Sequence, residues 1–149
     1  MKTSRILWIS FVASFILYLI VLGFYIPRIA VSGTCLPKDI SLSEVYLKNT
    51  ATFLGHLFLP FLLPAFIMID ISQLEALTKL ILPQFNFTVI IIFYIIEHIL
   101  CSTAFSYGVL LYVKRSSQIL KDKRLISAFI LVFVFSLIEK VVLLWGCEI

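Results

Sequence analysis

Glu97 and His98 stand side by side in IIFYIIEHILCSTAF, residues 91–105, near the middle of a long apolar run. A carboxyl beside an imidazole at membrane depth suits a proton relay or an ion site, because intramembrane ionisable groups mark such pathways. His56 is the other histidine and lies in a different apolar segment. One imidazole from each of two helices is also the ligand set that would hold a haem b in electron transfer, here His56 with His98. The third possibility is association alone, an interhelical hydrogen-bond network reaching Lys140 or another subunit.

Glu139 and Lys140 form a second polar step inside an apolar run. On a helix they point about 100 degrees apart, so they do not make the i,i+4 pair that would neutralise both. Lys140 can snorkel along its stem toward the membrane surface. Glu139 has a shorter reach, which makes it a second candidate for an inward or subunit-facing group.

Spacing argues against several enzyme chemistries. The metalloprotease motif sets two histidines four apart with glutamate just after the first. Here Glu97 precedes His98, and position 102 is a serine. No Gly-rich phosphate loop follows a strand signal, and the nucleophile-elbow pattern is absent. Cys35, Cys101 and Cys147 form neither a CxxC pair nor a zinc spacing. The chain therefore reads as a non-enzyme sooner than as an enzyme, with no metal site.

The elements that carry these residues follow from composition. Of 149 residues 62% are hydrophobic and 13% charged, with mean hydropathy +1.12, against about 25% charged in a soluble domain. Such a chain belongs in a lipid bilayer. Its net charge of +4 sits mostly in short segments between apolar runs and gives no nucleic-acid footprint. Charge-poor windows predict helices over 6–27, 50–70, 84–113 and 125–146, each long enough for a hydrocarbon layer of about 30 Å at 1.5 Å per residue. The first window exceeds a signal-peptide core and is read as a retained helix.

On the third helix Tyr94, Glu97, Cys101, Ala104 and Gly108 share one stripe of small and polar residues, suited to close helix contact. His98 lies about 100 degrees round, nearer Ser102 and Phe105. Ser10 and Ser14 make a small-xxx-small step on the first helix, although serines also bond their own preceding carbonyls. Gly55 and His56 precede Pro60 and Pro64, which lack the N–H of a regular ladder.

Two topologies compete. Four crossings with both termini outside put Arg28, Lys38, Lys48, Lys114, Arg115, Lys121, Lys123 and Arg124 inside, and Lys2, Arg5 and Lys79 outside. This arrangement has the larger inside excess of basic residues. The runner-up has three crossings, with residues 49–84 dipping in and returning. It puts Lys2, Arg5, Lys114, Arg115, Lys121, Lys123 and Arg124 inside, leaves Arg28, Lys38, Lys48 and Lys79 outside, and allows a Cys35–Cys147 disulfide.

The remaining segments are modest. SLSEVYLK reads as a short amphipathic surface helix, KRSSQILKDKR as a basic segment meeting anionic headgroups, and Asn86-Phe87-Thr88 as a glycosylation acceptor abutting a helix. The sequence predicts one all-α, polytopic integral membrane domain over residues 1–149. Its expected role is a small structural or accessory subunit that packs with other membrane subunits or with copies of itself, with proton or ion translocation through Glu97 and haem binding as alternatives.

Overall fold

The computed structural model describes residues 3–25, 41–69 and 87–145. Within them lie four long helices: α1 Thr3–Tyr25, α2 Leu42–Phe58, α3 Phe87–Lys114 and α4 Lys123–Trp145. Short 3-10 turns occupy Pro60–Leu62 and Ser117–Lys121. Cys35, Cys147 and Asn86, and with them the disulfide and the glycosylation acceptor, lie outside the described residues.

Local chemistry sets the ends of α2. Ser41 and Glu44 form a reciprocal capping box, with the Glu44 N–H donating to Ser41 Oγ at 3.2 Å and the Ser41 N–H donating to Glu44 Oε2 at 2.8 Å. This satisfies N–H groups that the first helical turn cannot pair. SLSEVYLK is therefore the cap and opening turns of α2, not a separate surface helix. Pro60 has no N–H to continue the ladder, and the last turn closes with the Leu59 N–H donating to the Gly55 carbonyl at 2.8 Å.

The chain then turns sharply: Leu42–Phe58 and Pro60–Ile69 are bent by 110° about this break. The helix predicted over 50–70 is thus two arms. Glycine makes two close approaches possible. A Cβ at Gly55 would sit 2.6 Å from the Phe66 ring, which folds back over α2. A Cβ at Gly108 would sit 2.5 Å from the Leu57 carbonyl oxygen and 2.7 Å from that of His56. The end of α2 therefore meets α3 backbone to backbone, which only a residue without a side chain permits.

Contacts fix the helix directions. α1 is antiparallel to α3, because Ile6 shares a groove with Val113 while Tyr18 packs on His98. α2 runs parallel to α3: Asn49 and Glu97 line one cavity, and His56 and Leu57 reach Gly108 further along. α4 is antiparallel to α2, with ring contacts from Tyr46 to Phe133 and from Phe53 to Phe129. Phe53, Leu57, Leu100, Ala104, Tyr107, Leu125, Ala128, Val132 and Phe135 form the core between α2, α3 and α4.

The molecule is an all-α, multi-pass integral membrane protein. Thr3–Val21 and Ile92–Lys114 are long and apolar enough to cross a membrane, and the bent pair adds a third candidate if it counts as one crossing. By that measure the four crossings expected from the sequence are not reached. Among the described residues, the physical reason that the second window does not stand as one straight crossing is the 110° break at Leu59–Pro60. Charge is also uneven along the bundle. Arg5, Lys114, Arg115, Lys121, Lys123 and Arg124 gather with Asp122 where α1 begins, α3 ends and α4 begins. The opposite end carries Glu44, Lys48, Glu139 and Lys140.

Candidate functional site

Two polar clusters lie between the helices. The first joins α1, α2, α3 and the Pro60–Ile69 arm, hereafter the return arm, around His56, which is completely buried. Its Nδ1 is 2.8 Å from the Thr52 carbonyl oxygen and so carries the proton that it donates there. Nε2 of the neutral ring is then the acceptor, and the Tyr18 hydroxyl donates to it. Phe66 stacks on the same imidazole with ring centres 4.6 Å apart. Both nitrogens of His56 are thus used within the chain.

His98 joins the cluster from α3 through ring contacts. Tyr18 and Tyr94 flank it at centroid distances of 3.9 Å and 3.7 Å. It is 1% exposed, and among the described residues neither ring nitrogen has a hydrogen-bond partner. The two histidines that sequence reasoning paired as haem ligands therefore converge, but upon Tyr18, which touches both rings. Among the described residues no group of three or more His, Cys, Asp or Glu could hold a metal ion.

The second cluster joins α2 to α4. Asn49 Nδ2 donates to Glu139 Oε2 at 2.6 Å and to Ser136 Oγ at 3.1 Å, while Ser136 Oγ donates to the Val132 carbonyl at 2.8 Å. Lys48 Nζ lies 3.7 Å from Glu139 Oε1. Glu139 is thereby buried at 7% exposure with an ammonium and an amide of α2 facing it. Lys140, its chain neighbour, is half-buried.

Glu97 is also half-buried and lines a cavity of about 10 Å³ with Asn49, Thr52, Cys101 and Phe135. That volume is near the lower limit for one water. Its stripe companions Tyr94, Cys101, Ala104 and Gly108 are all buried, and Cys101 packs with Tyr18 and Ile67. Ser10 and Ser14 donate to the Ile6 and Phe11 carbonyls of their own helix. Their hydroxyls are satisfied locally, and only Ser14 is deeply buried.

Sequence reasoning missed Tyr18, Asn49, Ser136 and Phe66. Asn49 had a legible signal: Val45, Asn49, Phe53 and His56 recur at helical spacing on the buried face of α2. Starting that helix at residue 50 hid the pattern. Ser14, Tyr18 and Val21 likewise repeat on α1 at intervals of four and three. Comparison with family models, curated proteins and solved structures finds no match for this chain.

Proposed function

We propose that the chain is a small accessory subunit of a larger membrane assembly, and that its intramembrane polar residues hold its own helices in place. One observation carries this reading: His56, Asn49, Ser136 and Glu139 all direct hydrogen bonds within the chain, those of Asn49 and Tyr18 crossing between helices. Such bonds contribute about 0.6 to 2 kcal/mol each in a bilayer. They serve to build a scaffold. The outer faces of α1 and α4, with Trp8, Val12, Ile130 and Val134 exposed, are left to lipid and to neighbouring subunits.

The proposed topology has three crossings, α1, α3 and α4, with α2 entering and the return arm leading back. Support comes from the antiparallel pairing of α1 and α3, which puts Arg5 and Lys114 at one end. Further support is that Ile67 lies beside Cys101, two turns back along α3 from the Gly108 contact of Leu57. The ion pair of Glu139 with Lys48 lowers the cost of taking α4 through the membrane. The basic end then faces the cytoplasm.

A second reading, proton handling, is favoured by one feature. Glu97 and Asn49, whose Oδ1 has no hydrogen-bond partner among the described residues, share the small cavity. Beyond the cavity the apolar core of Phe53, Leu57, Leu100 and Val132 fills the interior toward the basic end, which favours a scaffold over a conduit. Purification in mild detergent followed by native mass spectrometry and absorption spectroscopy separates the readings. Co-purifying polypeptides without a Soret band are expected. A lone chain whose liposomes show pH-dependent flux abolished by Glu97→Gln would replace the scaffold with a transporter.

A further inference from the structure

An open groove of about 450 Å³ runs between the start of α1 and the end of α3. Ile9, Ser10 and Ala13 form one wall, Phe105 and Val109 the other, and Lys114 stands at one end. It exists because Ser10 and Ala13 are small where larger side chains would have filled the seam. Of the Ser10 and Ser14 step, Ser10 lines the groove while Ser14 is buried in the bundle.

The groove's chemistry is that of an amphiphile site. Its volume lies within the range of small-molecule pockets, roughly 300 to 1,000 Å³. The walls are apolar except for the Ser10 hydroxyl, and that group donates to its own helix. Both walls belong to stretches long and apolar enough to cross a membrane, so lipid is the medium that meets them. Charge appears only at the end, where Lys114 lines the groove and its chain neighbour Arg115 and Arg5 of α1 are exposed. Asp122, the acidic residue of that end, accepts the Arg124 N–H at 2.9 Å at the start of α4.

We propose that this groove seats one acyl chain of an anionic phospholipid, with the phosphate held at Lys114. From Ile6 to Ala13 the helix rises about 10 Å, which accommodates the upper part of a chain below its headgroup. The inference extends the orientation proposed above, because the cytoplasmic leaflet is where anionic lipids attract juxtamembrane basic residues. The binding chemistry does not need that orientation.

Delipidated protein in mild detergent is titrated with phosphatidylglycerol, and separately with phosphatidylcholine of the same chains, and adducts are counted by native mass spectrometry. One phosphatidylglycerol is expected to bind about fivefold or more tightly than phosphatidylcholine, the effect of one basic contact. Lys114→Gln is expected to erase that preference, and Ala13→Trp to remove the adduct of either lipid. Lys114 and Ala13 are exposed, so neither change disturbs the core, and unchanged helical circular dichroism checks this. Equal binding of the two lipids, a preference that survives Lys114→Gln, or an adduct retained in Ala13→Trp would overturn the site. So would a polypeptide that displaces the lipid from the wild type but not from Ala13→Trp. All these outcomes are read in detergent and are independent of membrane orientation.

Discussion

Replacing Asn49 with leucine removes both side-chain bonds from α2 to α4 and leaves the buried Glu139 with Lys48 as its remaining partner on α2. A buried carboxylate that loses a partner is costly, so a loss of about 2 to 4 kcal/mol is expected, read as a lower midpoint of thermal denaturation in detergent. The histidines should respond in opposite ways. His56→Phe discards the bonds to Thr52 and Tyr18, at a cost of about 1 to 3 kcal/mol. His98→Phe removes two unpartnered ring nitrogens while keeping an aromatic ring between Tyr18 and Tyr94, and is expected to be neutral or stabilising. Equal losses in the two variants would show that His98 has a partner of its own in the membrane. At this scale the sequence revealed the costly groups, since Glu97, His98 and Glu139 stand out in apolar runs. Helical spacing could place Asn49 and Tyr18 on buried faces, but it could not pair them with these groups, because the partners come from other helices.

At the scale of elements, the crossing of α2 and α3 depends on Gly108. Gly108→Val pushes a branched side chain into the Leu57 and His56 carbonyls, and neither is a flexible side chain that can step aside. A loss of about 1 to 3 kcal/mol is expected from such overpacking, with the ends of α2 and α3 moving apart in a spin-label distance measurement. Gly55→Leu meets the Phe66 ring instead and is expected to lift the return arm off His56 while sparing the α2–α4 contacts. A Gly108→Val protein as stable as the wild type would contradict the close backbone approach. The predicted windows over 6–27, 84–113 and 125–146 overlap α1, α3 and α4, because scarcity of charge over twenty residues is a direct record of the solvent. The 50–70 window was less informative. Its prolines signalled a break, but the capping box at Ser41 and Glu44 lay in a segment whose charges suggested surface.

Over the whole molecule, orientation decides how the polar clusters, the basic end and the lipid groove relate to the membrane. Counting basic residues alone favoured four crossings, because the count assigns loops to sides without knowing which helices are neighbours. The antiparallel contact of α1 with α3 supplies that missing link: Ile6 lies with Val113, and Tyr18 with His98 and Cys101. Single cysteines at Ser4, Ser117 and Ser43, in a chain whose Cys35 and Cys147 are replaced by serine, can be labelled with a membrane-impermeant maleimide in sealed, oriented vesicles. Labelling of Ser4→Cys and Ser117→Cys from one side and of Ser43→Cys from the other is the result required of three crossings with an α2 that enters and returns. Labelling of Ser4→Cys and Ser117→Cys from opposite sides would contradict it and restore four crossings.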